Sequence, residues 1–118
     1  MRVLLADAHP KVRWALRTVI GEEPGLMMAG EVSDSACLLN QARDLKPDLI
    51  VVDWELPGQP GEELLADLSN LNPGSRVLVM SSRPEARKVA LAAGASAFVS
   101  KANGSDQLLA ALREFVRE

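Results

Sequence analysis

Five short apolar runs punctuate the chain: VLLA from Val3, MMAGEV from Met27, LIVV from Leu49, RVLVM from Arg76 and AFVS from Ala97. Each is followed by a longer stretch in which apolar residues recur at helical spacing. The runs are nearly continuous in apolar residues, as expected of parallel strands covered by helices on both faces. In the first helical stretch Val12, Ala15, Leu16, Val19 and Ile20 form one stripe, with Pro10 near its start and Gly21 at its end. Leu38, Ala42 and Leu45 do the same for the second, Leu64, Leu68 and Leu71 for the third, and Leu108, Leu112, Phe115 and Val116 for the fifth. The fourth, around PEARKVALAAG, is short and Ala-rich, and its thin stripe predicts a looser element able to shift.

Turn residues at Pro24-Gly25, Pro47, Pro57-Gly58, Pro73-Gly74, Gly94 and Asn103-Gly104 separate these elements without any long linker or repeat. The prediction is a three-layer α/β sandwich of five strand-helix units. Right-handed crossovers restrict its topology, and the flavodoxin-like strand order 2-1-3-4-5 is the expected one. With 118 residues the chain reads as one domain over 1–118, and its 47% apolar content is enough for a core.

Charge narrows the function. The charged quarter of the residues is mixed in sign and sums to −3, so direct nucleic-acid binding by this chain is not expected. No run approaches the roughly 20 apolar residues that span a bilayer, and no leader precedes the first strand, which points to a cytoplasmic protein without membrane contact. The single Cys37 reads as a small helix residue in a reducing compartment.

In a sheet of this order, ligands bind beyond the carboxyl ends of the strands, near the switch point between strands one and three. Asp7, Asp53, Ser81 and Lys101 stand at four of these ends. Each alone is readable as a cap, a turn residue or a surface lysine. Together they suit phosphoryl chemistry: a carboxylate can attack phosphorus, a hydroxyl and an ammonium can hold the charged oxygens, and a second carboxylate helps hold Mg²⁺.

The strand ends LLAD, PDLIVVDWELPG, VLVMSS and GASAFVSK, in this order and over the whole chain, resemble the receiver domain of two-component response regulators. DAHPKVR and the proline-free KANGSDQLLAALREF are similar to the transcriptional subclass with a helix-turn-helix output domain. The resemblance implies that Asp53 accepts a phosphoryl group from a histidine kinase. It implies that Ser81 is the switch hydroxyl, that Lys101 pairs with the phosphoryl group, and that Phe98 is the switch aromatic. By the same resemblance Asp7, Asp53 and the backbone carbonyl of Glu55 form the acidic metal pocket.

One departure stands out. Where the family usually carries a second adjacent acid, a direct Mg²⁺ ligand, this chain has Ala8, so weak Mg²⁺ binding and inefficient phosphoryl transfer are expected. Two compensations are conceivable from the sequence: the Glu55 carboxylate as a replacement ligand, and the Arg83 guanidinium across the phosphoryl oxygens. His9, the sole histidine, has no His or Cys partner at ligand spacing and reads as an ordinary loop residue. Trp14 and Trp54 read as partner contacts or as packing.

The leading expectation is therefore a phosphoacceptor switch that remodels the surface of helix four, strand five and helix five, and that is not an enzyme beyond self-catalysed phosphoryl transfer and dephosphorylation. Its partners would be a histidine kinase and either a second copy or an output domain. The alternative is a pseudo-receiver, an interaction module that no longer uses phosphorylation. A flavin-binding or phosphohydrolase reading lacks support, since ADAHPK contains no glycine for a phosphate loop. The chain stops directly after the fifth helix, as a stand-alone receiver or a piece of a longer regulator would.

Overall fold

The computed structural model describes Met1–Glu118, apart from the side chain of Asn103. Strands β1 (Arg2–Ala6), β2 (Met27–Val32), β3 (Leu49–Asp53), β4 (Arg76–Ser81) and β5 (Ala97–Ser100) alternate with helices α1 (Pro10–Glu22), α2 (Ser35–Leu45), α3 (Gly61–Leu71), α4 (Ala86–Ala92) and α5 (Ser105–Arg117). All strand pairings are parallel, in the order β2-β1-β3-β4-β5. The flavodoxin-like α/β sandwich expected from the run pattern is thus the fold observed.

The continuous apolar runs follow from burial on both sides of the sheet. Alternate residues of one strand enter opposite cores: Leu4, Ala6, Ile50, Val52, Val77 and Val79 pack with Leu38, Leu64, Leu68 and Ala90. Val3, Leu5, Leu49, Val51, Leu78 and Met80 pack with Leu16, Ile20, Leu108, Leu112 and Phe115. A fully buried Leu or Phe contributes roughly 1.5–3 kcal/mol relative to exposure, so these two layers dominate what holds the sheet in place.

The helix stripes are narrower than periodicity predicts. Ala15, in the middle of α1, is exposed. Leu71, the last residue of α3, and Val116, the penultimate residue of α5, are exposed because a helix end that overhangs the sheet has no strand to cover it. Leu65 takes the buried place beside Leu64 instead. Helix α4 has only seven residues, with Ala86 and Ala90 buried. No helix among the described residues is long and apolar enough to cross a membrane.

Gly58 fixes the loop after β3. Its φ of +119° lies in the region that favours glycine, and a Cβ there would fall 1.8 Å from Ser35 Oγ. Ser35 holds that loop from the start of α2: its backbone N–H donates to the Pro57 carbonyl at 2.9 Å, and its hydroxyl accepts from Gln59 N–H at 3.0 Å.

Candidate functional site

One local device recurs at four strand ends. Asp7 Oδ1 accepts from His9 N–H at 2.9 Å, Asp53 Oδ1 from Glu55 N–H at 3.1 Å, Ser81 Oγ from Arg83 N–H at 3.0 Å, and Ser100 Oγ from Ala102 N–H at 3.2 Å. A short side-chain acceptor bonding the backbone two residues on turns the chain sharply out of the sheet. The turn-residue reading of the two aspartates is therefore correct as far as it goes. It engages one carboxylate oxygen of each and leaves the other facing the pocket.

Those second oxygens converge. Lys101, the first residue after β5, reaches back so that Nζ lies 2.7 Å from Asp7 Oδ2 and 3.2 Å from Asp53 Oδ2. The two carboxyl side chains are 1% exposed and the lysine 18%, so the three charges interact with little screening. Burial pushes the Asp53 carboxyl up from its ordinary value; the Glu55 N–H and the Lys101 charge oppose this, and the Asp7 charge adds to it. Burial alone pulls the Lys101 ammonium down, yet the hydrogen bond to Asp7 and the charges of Asp53 and Asp7 outweigh it and leave the lysine raised. Two acids facing one ammonium leave a formal charge of −1, a setting that favours a further cation.

Beside this triad lies a second cluster. The Ser81 hydroxyl donates to Glu55 Oε2 at 2.7 Å, Ser82 N–H donates to Glu55 Oε1 at 3.3 Å, and Arg83 Nη2 lies 3.6 Å from Glu55 Oε2. The Glu55 carboxylate is held by the β4–α4 loop and is not among the donors that converge with Asp7 and Asp53. To serve as the replacement ligand expected from the sequence, the carboxylate has to leave Ser81 and Ser82. Arg83, expected over the phosphoryl position, is instead directed at Glu55 and is half exposed.

Phe98 is already buried at 8%, packed on the face that also holds Val79, Ala86 and Ala90. The Arg87 guanidinium reaches its backbone carbonyl at 3.5 Å. Trp14 is 61% exposed. Trp54 is half-buried against Gly61, where a Cβ would come within 2.7 Å of its ring.

His9 is the residue that sequence reasoning set aside. Its Nδ1 lies 3.2 Å from Asp7 Oδ1, and single donor atoms from Asp7, His9 and Asp53 all lie within 4.8 Å of one another. The signal was spacing of another kind: a turn bonded at i and i+2 folds the His9 side chain back beside Asp7. A divalent ion fits this pocket through its charge and its two carboxylates, although Ala8 contributes no donor. Mg²⁺ commonly takes one or two protein carboxylates and fills its other positions with water and phosphate oxygens.

The chain is similar to known proteins over nearly its whole length. The response regulator receiver domain family matches residues 3–113. The Fimbriae Z protein of Salmonella typhimurium is 34% identical over 101 residues, covering 84% of this chain and 48% of that protein. The nitrate/nitrite response regulator NarL of Escherichia coli is 32% identical over 114 residues, covering 95% of this chain and 53% of that protein. The chain thus spans about half the length of these curated relatives. Among solved structures, a LuxR-family two-component response regulator from an Aurantimonas species superimposes with a TM-score of 0.89 at 30% identity, over 98% of this chain and 84% of that one. With the family matched over nearly its whole length and four polar strand ends gathered at one edge of the sheet, the chain belongs to the receiver domains of two-component response regulators.

Proposed function

We propose that Asp53 is the phosphoacceptor of a signalling switch. The observation that carries this reading is the buried Asp7–Lys101–Asp53 triad, in which one oxygen of Asp53 is tied into the turn and the other faces the ammonium. In the transfer, that carboxylate oxygen bonds to phosphorus as the bond from phosphorus to the donor breaks, and the donor's leaving group departs with the bonding electron pair and takes up a proton from solvent. Lys101 is placed to follow the charge onto the phosphoryl oxygens. Asp7, Asp53 and the Glu55 carbonyl would hold Mg²⁺, which would neutralise phosphoryl charge when bound.

Ser81 is the responding hydroxyl. To reach a phosphoryl oxygen it leaves Glu55, and because Ser81, Ser82 and Arg83 all engage Glu55, that departure loosens the loop leading into α4. The short α4 and the surface it shares with β5 and α5 are the output face. Phe98, buried against Ala86 and Ala90 of α4, is placed to respond when α4 shifts.

The phosphoryl donor in this reading is a histidine kinase, and the recipient of the signal is a second copy or an output domain. The net charge of −3 makes direct nucleic-acid contact by this chain unfavourable. The chain catalyses nothing beyond its own phosphorylation and dephosphorylation, and a free thiol at Cys37 suits the cytoplasm. The test is chemical mapping: after exposure to acetyl phosphate and a divalent ion, hydride reduction of the acyl phosphate converts Asp53 to homoserine in the Asp53 peptide. Conversion at Asp7, or at neither residue, refutes the assignment.

A further inference from the structure

The acidic pocket lacks an oxygen donor at Ala8 and has a nitrogen donor, His9, at its rim. We propose that His9 supplies the ligand that position 8 does not, so that Asp7, Asp53 and His9 form a carboxylate–carboxylate–imidazole site selective for a first-row transition divalent ion over Mg²⁺. The proposal rests on reading Asp7 and Asp53 as a divalent-ion pocket and names the ion class that this chain's own residues favour.

Three observations support it. The three donors lie within 4.8 Å of one another, close enough for one ion to join them. Two ligands at right angles on an ion with bonds of about 2.1 Å stand about 3 Å apart, and His9 Nδ1 and Asp7 Oδ1 are 3.2 Å apart. The imidazole is 68% exposed while Asp7 is 1% exposed, so the ring can adjust over a fixed carboxylate without disturbing the core.

Donor chemistry then sets the preference. Mg²⁺ is a hard ion that demands oxygen ligands, and it loses one with Ala8. Imidazole nitrogen suits nickel, zinc, copper and iron. The missing oxygen and the imidazole both move selectivity the same way. The Lys101 ammonium, 2.7 Å from Asp7 Oδ2, gives up part of its contact when the ion binds, a cost common to both ion classes that leaves their ratio unaltered.

The experiment measures binding without any phosphodonor, in a Cys37→Ser background that removes the one thiol. Ni²⁺ and Mg²⁺ are titrated calorimetrically into the parent, His9→Gln, Ala8→Asp and Asp53→Asn. Zn²⁺ is titrated while the ring nitrogens of the sole histidine are followed by NMR. His9→Gln is expected to weaken Ni²⁺ at least about tenfold and to leave Mg²⁺ nearly unchanged. Ala8→Asp strengthens Mg²⁺, Asp53→Asn weakens both ions, and one His9 nitrogen shifts to saturation with Zn²⁺. Equal Ni²⁺ affinity in His9→Gln, an unmoved ring at Zn²⁺ saturation, or undiminished Ni²⁺ binding in Asp53→Asn overturns the proposal. A chain that binds Ni²⁺ through His9 yet never gains phosphate on Asp53 refutes the phosphoacceptor reading and leaves this one standing.

Discussion

Ser81 and Glu55 are joined by a 2.7 Å hydrogen bond in which the hydroxyl donates to the acid two residues past Asp53. The hydroxyl at the end of β4 therefore already has a charged acceptor. A phosphoryl group on Asp53 must compete for it, and the competition sets how readily the β4–α4 loop responds.

Removing the competitor shifts that balance. Glu55→Ala frees Ser81, and since hydrogen bonds to charged groups are worth about 1.5–3 kcal/mol, phosphorylation of Asp53 by a small donor is expected to accelerate about tenfold. The rate of adduct formation, followed by mass, checks this. A rate equal to the parent's removes Glu55 from the switch.

Lys101→Met leaves the buried Asp7 and Asp53 carboxylates facing each other without a cation. Breaking a buried ionic cluster from one side costs about 3–5 kcal/mol, so the urea midpoint is expected to fall steeply at neutral pH. The raised lysine is held more tightly in the folded state than in the unfolded chain. Its contribution is whole below the ordinary lysine value and is lost as pH rises through the raised one. The gap between parent and variant should therefore persist across neutral pH and close in strong alkali.

Asp53 has the opposite sense. Its carboxyl is raised, so the folded state binds the proton more tightly than the unfolded chain, and ionisation works against folding. Asp53→Asn is expected to be more stable than the parent at neutral pH. The advantage should shrink as pH falls through the raised value into the ordinary carboxylate range. Denaturation midpoints at neutral and acid pH measure it, and a variant less stable than the parent at neutral pH contradicts the assigned electrostatics.

Gly58→Ala places a Cβ on a residue with φ of +119° and into Ser35 Oγ. The backbone strain alone costs on the order of 1–3 kcal/mol, and the loop after Asp53 loses its fit to α2. Thermal unfolding is expected several degrees lower. Gly74→Ala, where nothing lies within 4 Å of the new carbon, is the matched control.

The sheet was legible because burial on both faces leaves strands such as LIVVD almost no polar freedom. The polar residues that do occur at strand ends are conspicuous for the same reason. Helix faces were less legible: periodicity assigns Leu71 and Val116 to stripes but carries no information about where the sheet beneath them stops. Side-chain pairing was least legible. Whether Glu55 turns toward the metal pocket or toward Ser81, and whether His9 folds back on Asp7, depends on turn geometry and competing donors that residue spacing does not encode.

The central claim is that Asp53 accepts a phosphoryl group in this pocket despite Ala8. Intact mass after incubation with acetyl phosphate, with and without a divalent ion, in the parent and Asp53→Asn, tests it most directly. A single phosphoryl adduct that requires the ion and is absent from Asp53→Asn is the predicted result. No adduct under conditions that modify an ordinary receiver, or one that persists in Asp53→Asn, would contradict the claim.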